Sequence, residues 1–320
     1  MKRLIVALAL AGAAVGPSLA QPGGNKAITF VVPFAAGGPT DASARLVATA
    51  LSRKINTPIV VENVVGAGSA IGTTRVANAQ PDGRTLLWGS GSGLAVIPAF
   101  NTQLKYDPVK SFDPISLVVS APFVLAVKPS LGVNSVEELV AKARANPGKL
   151  NFGSTGVGSS SHMIAEYFKS VAGVFALHIP YNGGSPMVMG LKQGDIDFLF
   201  DTPTTLAPLI KANQVIPLAV TSLSPWPDLP QVKTLDQLGY KKFEATTWFG
   251  LLAPKGTPAD VLKFLNEKVN EVIREDGLNT ALRNAGFFVN GTTPAGFLEK
   301  IRADRATWES VVKRANIQIQ

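Results

Sequence analysis

Two apolar segments that each end in proline, ISLVVSAPFVLAVKP (residues 115–129) and ATTWFGLLAP (residues 245–254), bracket a set of alternating strand and helix patterns. A similar set precedes the first of them. Residues 28–34 read as a strand, 41–55 as a helix, 59–62 as a strand, 70–79 as a helix and 85–88 as a strand, the last following a Pro81-Asp82-Gly83 turn. This βαβαβ run predicts a parallel sheet covered on both faces. Between the segments come helices over 136–145, 162–171 and 186–193, and strands over 150–153, 176–179, 196–200 and 215–221. The simplest arrangement is an α/β protein of two lobes. Residues 25–121 with 247–320 build lobe 1, residues 122–246 are inserted as lobe 2, and the two apolar segments are strands crossing between them. The C-terminal patterns over 258–274, 277–285 and 294–315 are ordinary amphipathic helices, with stripes such as Val261, Leu265, Val269 and Val272, and read as packing.

The chain has 320 residues, long enough for two cores, and its 46% hydrophobic and 16% charged residues are a globular composition. Residues 1–20 carry Lys2 and Arg3, then an apolar run from Leu4 to about Val15, then small residues at Ser18 and Ala20. That is the pattern of a secretory signal peptide, and the run is short for a membrane span. The mature protein is therefore expected to be exported and soluble. There is no cysteine, which excludes a lipid-anchored thiol, thiolate metal sites and a thiol nucleophile. Loss of Lys2 and Arg3 lowers the formal charge from +8 to +6. The remaining charges are scattered with no basic run, which argues against nucleic acid as a partner.

Three strand-to-helix corners share a composition: FAAGGPTD (residues 34–41), NVVGAGSAIG (residues 63–72) and NFGSTGVGSSSHMIAEY (residues 151–167). Their glycines remove side chains and permit positive φ, so that backbone N–H groups can converge on a ligand. A helix N-terminus adds free N–H groups and a positive dipole end, which suits a carboxylate. The third corner is the most informative. Gly153, Gly156 and Gly158 alternate with Ser154, Thr155, Ser159, Ser160 and Ser161, more hydroxyls than one helix cap requires. YNGGSP (residues 181–186) repeats the logic, with Tyr181 offering a ring face and a hydroxyl. GSGSG (residues 89–93) leaves its strand with Gly89, Ser90 and little bulk; its glycine spacing is not that of a dinucleotide fingerprint, and no helix is expected to follow promptly. Asp201 ends an apolar strand in FLFDTPTT and suits a donor on a ligand, a water or a cap of the next turn equally. Asp41 fits a helix cap as well as a ligand contact, and His162 fits a packing role as well as a ligand contact. His178 reads as a satisfied core residue. Trp248 and Phe249 lie on the second crossing segment, where an aromatic wall or core packing would each place them.

Catalytic motifs are missing. There is no G-x-S-x-G elbow, no phosphate-binding G-x-x-x-x-G-K-[ST] and no H-E-x-x-H, and two histidines without cysteine leave little for a metal or an acid–base pair. The chain is not expected to be an enzyme, to bind a metal or to need a cofactor.

The ordered pieces VPFAAGGPTD, VENVVGAGSAIG, ANAQPDGRTLLWGS, LNFGSTGVGSSSH, IPYNGG, QGDIDFLFD and TWFGLLAPKGTP resemble the Bug family, the receptors of tripartite tricarboxylate transporters, from about residue 27 to the C-terminus. The resemblance implies a two-lobed periplasmic binding protein of the type II, Venus-flytrap kind. It implies a monomer holding a small organic acid, a di- or tricarboxylate, between the lobes and handing it to membrane permease subunits. Carried over to this chain, Phe34, Ala36, Gly38 and Asp41 grip one carboxylate, partly through waters. Ser154, Thr155, Gly156, Ser159 and His162 contribute from the opposing lobe, and Tyr181, Asn182, Gly183, Gly184 and Asp201 close the pocket. Gly89, Ser90, Trp248 and Phe249 complete the expected lining. At VVGAGSAIG the chain departs from the family, which more often has arginine-proline before the glycine, so polar contacts from that corner are not expected to follow the family. Two alternatives remain at this stage: a ligand-sensing partner of a membrane kinase, and an exported hydrolase built on Asp41 and Asp201.

Overall fold

The computed structural model describes residues 26–314; the expected signal peptide lies outside the described residues. Residues from both ends of the chain build one six-stranded sheet. Its strands are β1 (Ile28–Val32), β2 (Ile59–Asn63), β3 (Thr85–Ser90), β4 (Phe112–Pro122), β10 (Thr246–Pro254) and β11 (Phe288–Val289), in the order β11-β4-β10-β3-β1-β2. The β2-β1-β3 half is parallel, and β10 runs antiparallel to both β3 and β4. The middle of the chain builds a second sheet from β5 (Val124–Val127), β6 (Asn151–Ser154), β7 (Leu177–Pro180), β8 (Phe198–Asp201) and β9 (Ile216–Val220), ordered β7-β6-β8-β5-β9.

The first sheet is flanked by α1 (Pro39–Ile55), α2 (Ala70–Ala77), α7 (Ala259–Val272), α8 (Asp276–Asn284) and α9 (Pro294–Arg314). The second is flanked by α3 (Val136–Ala145), α4 (Ser160–Ala172), α5 (Gly184–Gln193) and α6 (Pro203–Lys211). Local chemistry sets the ends of these helices. α1 starts with proline after Gly38, where the missing N–H costs nothing, and stops at Asn56 in the left-handed region. α4 starts at Ser159, whose hydroxyl accepts the His162 N–H, and stops at Gly173 with φ 62°. α1 buries Ala44, Val47, Ala48, Leu51 and Ile55, and α7 buries the stripe Val261, Leu265, Val269 and Val272, in one core with the β1 and β10 faces. Each of the valine, leucine and isoleucine side chains contributes about 1.5–3 kcal/mol on burial. A single π-helical turn, Ser92–Val96, follows GSGSG directly, where the sequence gives no helix signal.

The chain passes between the sheets where β4 breaks at Phe123 and resumes as β5, and again between Thr221 and Thr246. Thr221 ties these passages together. Its hydroxyl accepts the Phe123 N–H at 2.8 Å and donates to the Ala245 carbonyl at 2.6 Å, while its own N–H reaches the Phe123 carbonyl at 2.9 Å. The residue is fully buried. Thr221→Val keeps the shape but leaves a buried N–H and carbonyl unmet, so it is expected to cost about 1–3 kcal/mol in urea unfolding. A loss below 0.5 kcal/mol, on the same scale, would mean that water replaces the hydroxyl.

Candidate functional site

Across the cleft the two halves meet largely through main-chain atoms. The first corner faces residues 181–186, where the Ala35 N–H donates to the Asn182 carbonyl at 3.1 Å. Gly183, at φ 137°, is so close to Ala35 that an added Cβ would lie 3.2 Å from that residue's nitrogen. The second corner faces the third. Gly68 and Gly156 stack on each other at φ 62° and 132°, and a Cβ on Gly156 would sit 3.0 Å from the Gly68 Cα. Ser92 joins in from β3's end, its hydroxyl 3.0 Å from that of Ser160 and accepting the Ser160 N–H.

Between these contacts lies a cavity of about 30 Å³. It has room for a water or two, so a larger guest enters only when the lobes part. Four helices start at its wall: α1 through Gly38 and Thr40, α4 through Ser160 and Ser161, α5 through Gly184, and α6 through Thr202. First-turn N–H groups have no partner within their own helix, and the dipoles of all four helices present their positive ends. Among the described residues, no lysine, arginine or histidine lines the cavity. Phe34, Phe123 and Phe249 supply its apolar surface, and Thr155, Thr247 and Asp201 its other polar groups. A larger open groove of about 910 Å³ runs along α6 past Pro208, Lys211 and Asp228, but it meets only one of these helix starts.

Asp201 is the cavity's one ionisable side chain. Oδ1 accepts the Thr202 N–H at 2.8 Å, while Oδ2, fully enclosed, has no hydrogen-bond partner among the described residues. The Thr205 hydroxyl lies near enough to favour the ionised form, yet the two make no well-formed bond. Burial dominates and pushes the carboxyl up to about 7.

The third corner is braced from behind by both histidines. His162 Nδ1 accepts the Gly158 N–H at 3.0 Å, which places the ring proton on Nε2. Its ring stacks on His178 at 3.8 Å, and His178 Nε2 lies 2.6 Å from the Ser154 hydroxyl. Burial, then neighbouring positive groups, lowers His162 to about 3 and His178 to about 4, so both rings are neutral near pH 7. The 3.7 Å approach of His162 to Glu166 is therefore no ion pair at that pH.

The model of the tripartite tricarboxylate transporter family receptor matches residues 43–317. The chain belongs to that receptor family. Among curated relatives, Protein BugT of Bordetella pertussis is 31% identical over 324 aligned positions, covering 100% of this chain and 99% of the relative. Among solved structures, R. palustris Rpa4515 with adipate superposes with TM-score 0.88 at 34% identity, covering 91% of this chain and 97% of that one. MatC from Rhodopseudomonas palustris with bound malate gives 0.86 at 29%, covering 89% and 98%. These neighbours are two-lobed solute-binding proteins, and so is this receptor; it is not an enzyme, which removes the hydrolase alternative.

The receptor's fold brings Phe34, Gly38, Thr155, Gly184, Asp201 and Phe249 to the cavity. Other expected residues support its walls. Asp41 spends both oxygens on the first corner, accepting the Gly37 N–H and Arg45 Nε at 2.9 Å through Oδ2, and Asn63 Nδ2 through Oδ1. Burial opposes its ionisation, but those bonds and the Arg45 charge outweigh it and hold the carboxyl below its usual range. Ser154, Gly156, Ser159 and His162 shape the third corner, and Gly183 packs on Ala35. Ala36 and Asn182 are exposed outside the cavity.

Four residues stand elsewhere than in the expected places. Trp248 is fully buried in the core, edge-on to Phe297 with its Nε1–H bonded to Asp304, because alternate residues of β10 face opposite ways. Gly89 is packed under Leu252 and Leu94, and Ser90 is buried beside it, its hydroxyl turned to the Gly93 N–H. Tyr181 lays its ring on Gly190 of α5, away from the cavity. His178 is satisfied but only half-buried, since β7 is an edge strand. The sequence reading also missed Ser92, Thr247 and Thr202 as lining residues. The only hint was a hydroxyl at the end of each apolar strand.

Proposed function

We propose that this receptor captures a small organic acid with two or three carboxylates between its lobes in the periplasm and delivers it to the membrane permease of a tripartite tricarboxylate-type transporter. The observation that carries this reading is the convergence of four helix N-termini and their hydroxyls on one cavity that has no cationic side chain. Such a set neutralises carboxylates with dipoles and N–H groups alone. The adipate and malate complexes of related proteins support the ligand class. Phe34, Phe123 and Phe249 favour an apolar spacer between the carboxylates, a chain or a ring. A thermal-shift panel of C4–C8 aliphatic and aromatic dicarboxylates and tricarboxylates tests it, with titration calorimetry on each hit. A true ligand at a hundredfold excess over Kd adds about 2.7 kcal/mol of stability. If every acid leaves the melting temperature unmoved, the reading fails.

A further inference from the structure

Asp201 stands where the starts of α1, α5 and α6 come together. A Cβ placed on Gly184 would lie 3.0 Å from Asp201 Oδ2, 3.3 Å from Pro39 Cδ and 3.5 Å from Thr205 Oγ1. Around this point the hydroxyls of Thr202 and Thr205, like Oδ2 itself, have no partner among the described residues. Asp41, equally buried, has both oxygens bonded and an arginine at hand.

The groups facing Asp201 carry no charge. Strand β5 presents Val124, its pairing partner; α1 presents Pro39 and Thr40; α5 presents Gly184; α6 presents Thr202 and Thr205; and β10 presents Thr247. The nearest charges on those elements are engaged or remote. Asp41 and Arg45 of α1 pair with each other, Lys128 beyond β5 pairs with Asp197, and Lys192 and Lys211 close the far ends of α5 and α6. On α4, which packs on β8 and brings Ser160 and Ser161 to the cavity, Lys169 pairs with Glu166 and His162 is neutral near pH 7. A ligand carboxylate brought here would therefore meet either a second negative charge in a dry site or a neutral acid with a proton to give. Two carboxylates sharing a site do not both ionise, because one is held protonated by the other's charge.

We propose that Asp201 meets the ligand as a neutral carboxylic acid, donating its O–H to a ligand carboxylate, so that each organic dianion is held together with one proton on Asp201, drawn from solvent wherever the free group has lost it. This rests on the carboxylate-receptor reading above and gives that site a proton requirement. It also supplies a donor where other anion sites use lysine or arginine. Burial, opposed by the Thr202 N–H and the nearby Thr205 hydroxyl, has already moved the group up to about 7, and an adjacent ligand carboxylate moves it higher.

The test is calorimetry on the intact receptor in two buffers of different ionisation enthalpy. The probe is whichever of adipate, malate or another member of the panel binds. From a starting value of about 7, linkage gives roughly 0.9 proton taken up per ligand at pH 8, about a quarter at pH 6.5, and affinity falling roughly tenfold per pH unit above 7. Asp201→Asn keeps a donor but cannot titrate, so uptake vanishes and affinity becomes flat with pH. Binding at pH 8 with uptake near zero in the unaltered protein overturns the proposal. In that case Asp201 is ionised and reads a donor on the ligand, which a preference for malate's hydroxyl over adipate would reveal. If no acid binds at any pH, the carboxylate reading falls, and this proposal with it.

Discussion

Replacing Gly68 with alanine is expected to weaken ligand binding by roughly ten- to hundredfold while lowering the melting temperature of the free protein by only a few degrees. Gly68 has φ 62°, and a Cβ there would collide with the Val157 carbonyl oxygen across the cleft and come within 3.3 Å of the Ser159 nitrogen. Both are backbone atoms, so neither can swing aside as a side-chain tip would. With the lobes apart, alanine bears only the left-handed conformation, about 1–2 kcal/mol. With the lobes together it must also push two backbones apart, a further cost of about 1–3 kcal/mol. Calorimetry should therefore show the affinity loss, and small-angle scattering an incomplete ligand-induced compaction. Affinity within twofold of the unaltered protein would mean that the two corners do not meet when ligand is held.

Asp201→Asn should change stability in a strongly pH-dependent way. The folded carboxyl titrates near 7, while the unfolded one titrates near 3.9. Between those values the folded state holds a proton that the unfolded state has lost, so stability falls as pH rises from about 4 to about 7 and is level above. The full difference is on the order of 4 kcal/mol. The asparagine variant lacks this slope. At pH 8 it should be more stable than the parent by roughly 2–4 kcal/mol, and at pH 4.5 by no more than about 1 kcal/mol. Urea unfolding at both pH values reads this out; curves that stay parallel would place the group's titration elsewhere.

Most of the strand and helix order was legible because each signal is local; α6 was not, since Pro203 at its start and Pro208 inside it read as breaks rather than as a helix. The apolar run of β1, the Gly37-Gly38-Pro39 break and the stripe of α1 lie within 30 residues of one another. The glycine–hydroxyl corners were legible for the same reason, since N-terminal helix chemistry is written beside the helix it caps. What was not legible depends on strand pairing. Trp248 and Phe249 are adjacent and both aromatic, yet the register of β10 against β4 sends one toward Phe297 and the other to the cavity. Gly89 looked like room for a ligand and is room for two leucines. Ser92, Thr202 and Thr247 come from three distant strand ends, and only the folded sheets bring their hydroxyls to one place. Tyr181 looked like a pocket wall because nothing in its neighbourhood announces that Gly190 offers it a flat seat.

The halves of this receptor mate mainly through peptide groups, Ala35 on Asn182 and Gly68 on Gly156, whereas the cavity between them is surfaced by side chains such as Phe123, Thr247 and Phe249. Shutting and choosing are thus written in separate parts of the polypeptide. The chamber can be re-lined for a longer, shorter or ring-shaped metabolite without disturbing the jaws, which makes the protein a promising frame for biosensors retuned one wall at a time.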